Sequence, residues 1–341
     1  VISVNGIPVI ALELKNQFTG QSYENAIIQY KERDCKEKIF RLNYRFLVYF
    51  AVDHYETWMT THLKGESTYF LPFNQGSNGA GNSGGKGNPA NPNGYSTSYL
   101  WERVLTRDSI LDIIRKFISF VKDKKEIEVN GKTKEVVEEK LLFPRYHQFD
   151  VVHKVVDDIK AHGAGKNYLI EHSAGSGKSN SIAWISYRLA SLFDNENKPV
   201  FNSVIVVTNR VVLDSQLQDT INGFEHTPGL VEAIDEKKGS RGLKDAINDR
   251  KRIIICTVQK FLFAYKDFAD LTGRNFAILI DEAHQGQNGK TALALKTGLL
   301  DKDKALKEYA DEEGVDVDEL TEGDVLDKLI AQGKHANQTF I

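Results

Sequence analysis

Hydrophobic positions along the chain change their period twice, and the changes divide it. Val9-Ile10-Ala11-Leu12-Glu13-Leu14 reads as a strand, Ser22 to about Lys36 as a helix, and Arg45 to Val52 as a buried strand bounded by charge. Between Asn74 and Ser98 the pattern collapses: Gly and Asn supply 13 of 25 residues, too little apolar surface to offset ordering, so a mobile surface loop is expected. Aromatic residues flank it, Tyr69-Phe70-Leu71-Pro72-Phe73 before and Tyr99-Leu100-Trp101 after, so the loop should leave and re-enter one packed domain. Apolar positions at helical spacing then predict a helix over Asp108 to Lys122, capped by Asp108 or Ser109.

Lys122 to Lys140 is charged, with Asn130-Gly131 as a turn signal. Beyond it, short apolar runs at Tyr168–Ile170, Val204–Val207, Ile253–Ile255 and Phe276–Ile280 alternate with helical stretches starting near Lys178, Val211, Val258 and Thr291. Continuous buried strands separated by helices imply a parallel sheet covered on both faces, with ligands at the carboxyl ends of the strands. The reading is an α/β chain with a first domain over 1–125, a linker over 126–144 and a second domain over 145–341. Residues 301–335, rich in Asp and Glu, are expected as a charged helical insertion in that second domain.

Composition fits this picture. The length of 341 residues suits two domains, and 41% hydrophobic with 27% charged residues suits ordinary cores. No apolar run reaches the roughly 18 residues of a membrane span, and the first residues lack a secretory leader pattern. Cys35 and Cys256 stand apart from each other and from any His cluster, so neither a disulfide framework nor a zinc site is expected, and a reducing cytoplasm fits best. The net charge of −3 exerts no global pull on nucleic acid, so any such contact must be local. With no Met at the start and apolar residues at both ends, the chain reads as a piece of something longer.

Two motifs carry chemistry in the second half. His172-Ser173-Ala174-Gly175-Ser176-Gly177-Lys178-Ser179 lies between an expected strand and an expected helix. Such a turn wraps backbone N–H groups and a helix N-terminus around phosphates, with Lys178 at the β and γ phosphates and Ser179 on Mg²⁺. His172 stands where the strict pattern has Gly, and Gly175, Ser176 and Gly177 keep the tight part of the turn. The other reading is a plain Gly-Ser turn before a helix. Further on, Phe276 to Ile280 runs into Asp281-Glu282-Ala283-His284. At the end of a strand in such a sheet, Asp281 can hold the nucleotide's Mg²⁺ and Glu282 can orient or deprotonate water. ATP and Mg²⁺ are the implied cofactors.

Asp-Glu-Ala-His resembles the signature of superfamily 2 helicases and translocases. That resemblance makes Gln148, in Arg145-Tyr146-His147-Gln148, the adenine-reading residue. It also makes Arg210 and Gln216, after Thr208-Asn209, and Thr257, in Cys256-Thr257-Val258-Gln259, the DNA-contacting residues. His284 would couple the two. Phosphate contacts of this kind position a duplex without reading its sequence.

In the first half, the period of two puts Glu13 and Lys15 on one face of their strand, about 7 Å apart. A carboxylate there can ligate Mg²⁺ while the ammonium activates water for attack on a phosphodiester; the pair can equally be structural. Asn5-Gly6-Ile7-Pro8 before that strand, Glu13-Leu14-Lys15-Asn16, Phe70-Leu71-Pro72-Phe73-Asn74, Tyr99-Leu100-Trp101 and the motor motifs together resemble the restriction (R) subunit of type I restriction-modification enzymes. The resemblance implies a PD-(D/E)xK-type mixed-sheet nuclease followed by the first RecA-like domain of a double-stranded DNA translocase. Glu13 and Lys15 would then be nuclease residues, and the partners a methyltransferase subunit and a specificity subunit. Gln29 lies near the family's helical Gln-x-x-x-Tyr motif, but position 33 is Arg33. The family's first nuclease aspartate and second RecA-like domain are expected to lie beyond the two ends. The alternatives are a superfamily 2 motor with a non-nuclease amino-terminal binding domain, or a nucleotide-binding interaction module.

Overall fold

The computed structural model describes residues 1–129, 132–173, 175–208, 215–224, 229–234, 239–269, 273–281 and 337–341. It divides into two compact units, Val1–Val151 and Val152–Ile341. Among the described residues no helix is long and apolar enough to cross a membrane.

Unit 1 is built on a mixed five-stranded sheet: β1 (Ile2–Val4), β2 (Ile7–Leu14), β3 (Val48–Val52), β4 (Thr57–Thr60) and β5 (Leu71–Pro72), in that spatial order. Only β2 and β3 run parallel, joined through helix α1 (Tyr23–Glu32); the other neighbours are antiparallel. Pairing places Glu13 beside Ala51, and Ala51 beside Trp58. Period-two alternation sends Ala11, Tyr49 and Ala51 into one core with Ala26 and Tyr30 of α1. On the opposite face Phe50 meets Phe73 and Phe143 edge-on at 5.2 and 5.9 Å.

Helix α1 starts where a capping box dictates. The Ser22 hydroxyl accepts from the Glu24 N–H, and the Asn25 side chain accepts from the Ser22 N–H. Asp53, at the end of β3, then fastens this helix to the sheet. One of its oxygens accepts from Tyr23 N–H at 3.0 Å and the other from Tyr55 and Glu56 N–H at 2.8 and 2.9 Å.

The Gly/Asn stretch from 74 to 98 holds no strand or helix, and its asparagines act as surrogate backbone. Asn74 accepts from the Thr57 N–H of β4 at 2.9 Å, while Asn88 accepts from Gln75 N–H and donates to Tyr55 C=O. Helix α2 spans Arg107–Lys116 and is capped by the Thr106 hydroxyl rather than by Asp108 or Ser109. It is preceded by a single π-helical turn, Leu100–Val104, closed by Leu105 N–H on Leu100 C=O.

Residues 126–144, expected as a linker, instead largely belong to an antiparallel ribbon of β6 (Ser119–Val129) and β7 (Lys132–Leu142). Helix α3 (Tyr146–His162) follows. Charge composition suggested a solvated connection, but opposed residues of opposite sign, such as Lys122 and Glu139 at 3.2 Å, suit a two-stranded ribbon as well. The expected turn, 130–131, lies outside the described residues.

Unit 2 is an all-parallel sheet in the order β12 (Gln338–Phe340), β11 (Phe276–Asp281), β8 (Ser203–Thr208), β10 (Ile253–Thr257), β9 (Val231–Ala233). Helix α4 (Lys178–Ala190) precedes the first of these strands along the chain, and α5 (Ser215–Gly223), α6 (Gly239–Asn248) and α7 (Val258–Ala269) lie between them. Every residue of β8 and β10 is buried, as expected of strands covered on both faces. The Arg252 guanidinium ties the sheet's edge of turns together, donating to the C=O groups of Ala190, Phe201 and Asn202.

The expected strand at Tyr168–Ile170 is not formed. Tyr168 N–H reaches Phe340 C=O at 2.8 Å, but the Phe340 N–H is taken by the Asn167 side chain at 3.2 Å, so a side chain occupies the donor a ladder would need. Residues 301–335 lie outside the described residues.

Candidate functional site

In unit 2 the turn before α4 is set by two glycines in the left-handed region, Gly175 at φ 72° and Gly177 at φ 84°, which a side chain would strain. Gly177 caps α4 without any side-chain bond, so the first-turn N–H groups of Lys178 and Ser179 find no acceptor within the helix. Those donors and the helix dipole make an anion seat. Lys178 and Ser179 are half-buried, and Ser176 is buried.

Parallel pairing of β8 and β11 sets Asp281 beside Thr208 at the carboxyl end of the sheet. Lys178 and Asp281, together with His172 and Ser181, line one cavity of about 700 Å³, floored by apolar residues such as Leu279 and Ile182. The ammonium, the hydroxyl of Ser179 and the Asp281 carboxylate are hard donors suited to phosphate and Mg²⁺, so the residues present fit that pair of ligands. Ser181, one turn beyond Lys178, was not legible as a site residue. Its hydroxyl is enclosed without a hydrogen-bond partner among the described residues, and the residue lines the same cavity.

The remaining motor residues are less revealed. Glu282, His284 and Arg210 lie outside the described residues, and Gln216 falls within α5. Thr257 ends β10 with its hydroxyl enclosed and, among the described residues, without a hydrogen-bond partner. Beside it, burial pushes the Cys256 thiol up to about 12. Gln148 belongs to the first unit; it is buried, and its side-chain oxygen accepts from the Arg145 N–H at 2.8 Å, capping the start of α3.

In unit 1, Glu13 and Lys15 face the same side of β2. The Lys15 ammonium lies 3.3 Å from one Glu13 oxygen, and its side chain is 6% exposed against 23% for Glu13. Lys15 is held in place by its own N–H on Val52 C=O. The second oxygen of Glu13 meets a group not anticipated as a site residue, the guanidinium of Arg33, at 3.4 Å. Arg33 caps α1 at its carboxyl end and hangs over the rings of Tyr30 and Phe40. Burial first, and the Glu13 charge second, raise the Tyr30 hydroxyl above its ordinary range, so it stays neutral while donating to Phe50 C=O. The i, i+3 spacing of Tyr30 and Arg33 on a helix was the available signal for both. For a divalent cation, Glu13 supplies one hard oxygen ligand that solvent can reach. Among the described residues no cluster of three or more His, Cys, Asp or Glu gathers there or elsewhere.

Residues 1–68 match the family model described as type I restriction enzyme R protein N terminus, and residues 147–304 match that of the SWI2/SNF2 ATPase. Two proteins of Methanocaldococcus jannaschii are similar across most of the chain. The type I restriction enzyme MjaVIIIP endonuclease subunit is 28% identical over 325 residues, covering 85% of the chain and 27% of that protein. The MjaIXP endonuclease subunit is 27% identical over 323 residues, covering 88% of the chain and 28% of that protein. The chain thus spans just over a quarter of each relative. Among solved structures, the UvsW helicase from bacteriophage T4 aligns with 69% of the chain and 67% of its own, at 14% identity and a TM-score of 0.32; so loose a likeness carries no structural conclusion.

Proposed function

We propose that the chain is of the type I restriction R-protein type, with that family's amino-terminal segment and an SWI2/SNF2 ATPase segment, and that it powers ATP-driven translocation of double-stranded DNA and cuts that DNA at a separate site. The observation that carries the motor reading is the convergence of Lys178 and Asp281 on one cavity at the carboxyl end of a parallel sheet. Lys178 holds the β and γ phosphates, Ser179 and Asp281 hold Mg²⁺, and Glu282 orients the attacking water. Gln148 reads the adenine. Arg210, Gln216 and Thr257, with the backbone around it, track DNA phosphates.

The nuclease reading rests on Glu13 and Lys15, which share one face in direct contact. Glu13 is the metal-ligating carboxylate of a PD-(D/E)xK-type site, and Lys15 steadies the attacking water or the phosphate. Magnesium bound there would polarise the phosphodiester. A methyltransferase subunit and a specificity subunit direct the complex to its DNA. A buried lysine against a partly exposed carboxylate favours this reading over a superfamily 2 motor with a binding domain at its amino end.

Both parts are tested in the full-length protein assembled with such subunits. Lys178→Ala should abolish duplex-stimulated ATP hydrolysis, and unchanged turnover would overturn the phosphate-loop assignment. Glu13→Ala or Lys15→Ala should abolish cleavage while sparing the ATPase; loss of both activities together would contradict separate sites.

A further inference from the structure

The unexpected member of the amino-terminal site is Arg33, and its surroundings constrain what it can do. One carboxylate faces two cations: Lys15 on one oxygen of Glu13 and Arg33 on the other, at 3.3 and 3.4 Å. A divalent cation at Glu13 would join two positive charges already in place, so one of them must withdraw. Lys15 is poorly able to. Its side chain is 6% exposed, and its backbone is locked in the sheet by the bond to Val52. Arg33 is able to: its side chain is 42% exposed, it lies just past the last residue of α1, and one long contact of 3.4 Å joins it to Glu13.

Withdrawal from Glu13 does not set the guanidinium adrift. Its central carbon rests 5.8 Å from the centre of the Tyr30 ring and 5.6 Å from that of Phe40, contacts with neutral rings that do not depend on the Glu13 carboxylate. Tyr30 itself is fixed, 2% exposed, edge-on to Tyr49 at 5.6 Å and bonded to Phe50 C=O. A guanidinium supported on ring faces keeps its N–H edge outward, in the fork that matches a phosphate. A helix-borne arginine beside a metal-ligating carboxylate therefore has two partners of opposite timing: the carboxylate before metal arrives and the DNA phosphate afterwards.

We propose that Arg33 is a latch on the Glu13–Lys15 site, occupying one oxygen of Glu13 until a divalent cation takes that oxygen and then holding a phosphate of the DNA backbone. This rests on the nuclease reading. The test uses the full-length protein without nucleotide, with Mn²⁺ as the probe and calorimetry as the readout; the relevant site is the one lost in Glu13→Gln. Arg33→Gln should bind Mn²⁺ a few-fold more tightly than the unaltered protein, on the scale of a partly exposed ion pair, while its affinity for duplex DNA in Ca²⁺ falls several-fold. Arg33→Lys, which keeps the charge but not the fork, should leave Mn²⁺ binding near the unaltered value and still weaken DNA binding. Unchanged or weaker Mn²⁺ binding in Arg33→Gln, with the Glu13-dependent site present, would overturn the latch alone. Identical Mn²⁺ binding in the unaltered protein and Glu13→Gln would overturn the nuclease reading and the latch with it.

Discussion

Replacing Asp53 by Ala removes a carboxylate that organises the amino-terminal site from behind. Asp53 is 5% exposed and accepts three backbone N–H bonds, from Tyr23 at the start of α1 and from Tyr55 and Glu56 in the turn between β3 and β4. Hydrogen bonds to a charged acceptor contribute roughly 1.5–3 kcal/mol each, so three of them would sum to about 4.5–9 kcal/mol if independent. They share one carboxylate and are not independent. The turn N–H groups beside Tyr55, itself 62% exposed, can be rehydrated once the carboxylate is gone. The expected loss is therefore near the bottom of that range or below it, about 3 kcal/mol. Asp53→Asn keeps one accepting oxygen and should lose about half as much. Urea unfolding of the whole chain, with hydrogen exchange read on peptides covering 22–33 and 48–60, isolates unit 1. With a slope of roughly 1.5–2 kcal/mol per molar urea, the Ala variant's midpoint should fall by about 1.5–2 M. A loss under about 1 kcal/mol, or equal losses for Ala and Asn, would refute the view that this carboxylate anchors α1. Since Arg33 rides on that helix, the Ala variant should also loosen its contact with Glu13.

Two other outcomes follow from unit-specific chemistry. Arg252→Met in unit 2 strips three carbonyls of a charged donor and should cost about 2–4 kcal/mol, read by Trp184 fluorescence in urea; Arg252→Lys should fall between, and a Met variant as stable as the parent would deny the clamp. Burial, then the nearby Lys64 charge, depresses the His62 imidazole against a smaller opposing pull from Glu138. The native state then binds fewer protons than the unfolded one below about pH 6.5. Stability contributed by neutral His62 is present above that pH and declines as pH falls toward the depressed native value. In His62→Gln this part of the slope should vanish from the urea midpoints measured between pH 7.5 and 5, and an unaltered slope would remove His62 from the account.

Much of unit 2 was legible because its signals are local. Val204–Val207, Ile253–Ile255 and Phe276–Ile280 are apolar runs suited to a covered sheet, and each lies in a strand of it, buried throughout the run except at the partly buried Ile280. The Gly175-Ser176-Gly177-Lys178 turn is equally local, since left-handed backbone next to a helix start belongs to glycine. Tyr168–Ile170 misled for the opposite reason: strand propensity needs a free ladder partner, and Asn167 had occupied it. The 126–144 stretch misled because charge alternation serves a solvated linker and an exposed ribbon alike.

At the amino-terminal site the division is sharper. Period two along a single strand was enough to put Glu13 and Lys15 on one face, because that spacing is a property of the backbone itself. Whether the face was open, buried or shared depended on residues 20 and more positions away. Arg33 reaches Glu13 only because α1 returns over β2, and it returns there because Asp53 holds the helix start and Ala26 and Tyr30 bury against Ala11 and Ala51. Chemistry-bearing residue types and their local spacing were thus decided by sequence alone. The charge balance around them, one carboxylate between two cations, was decided by tertiary packing, since burial and long-range pairing exist only once separate segments share a core.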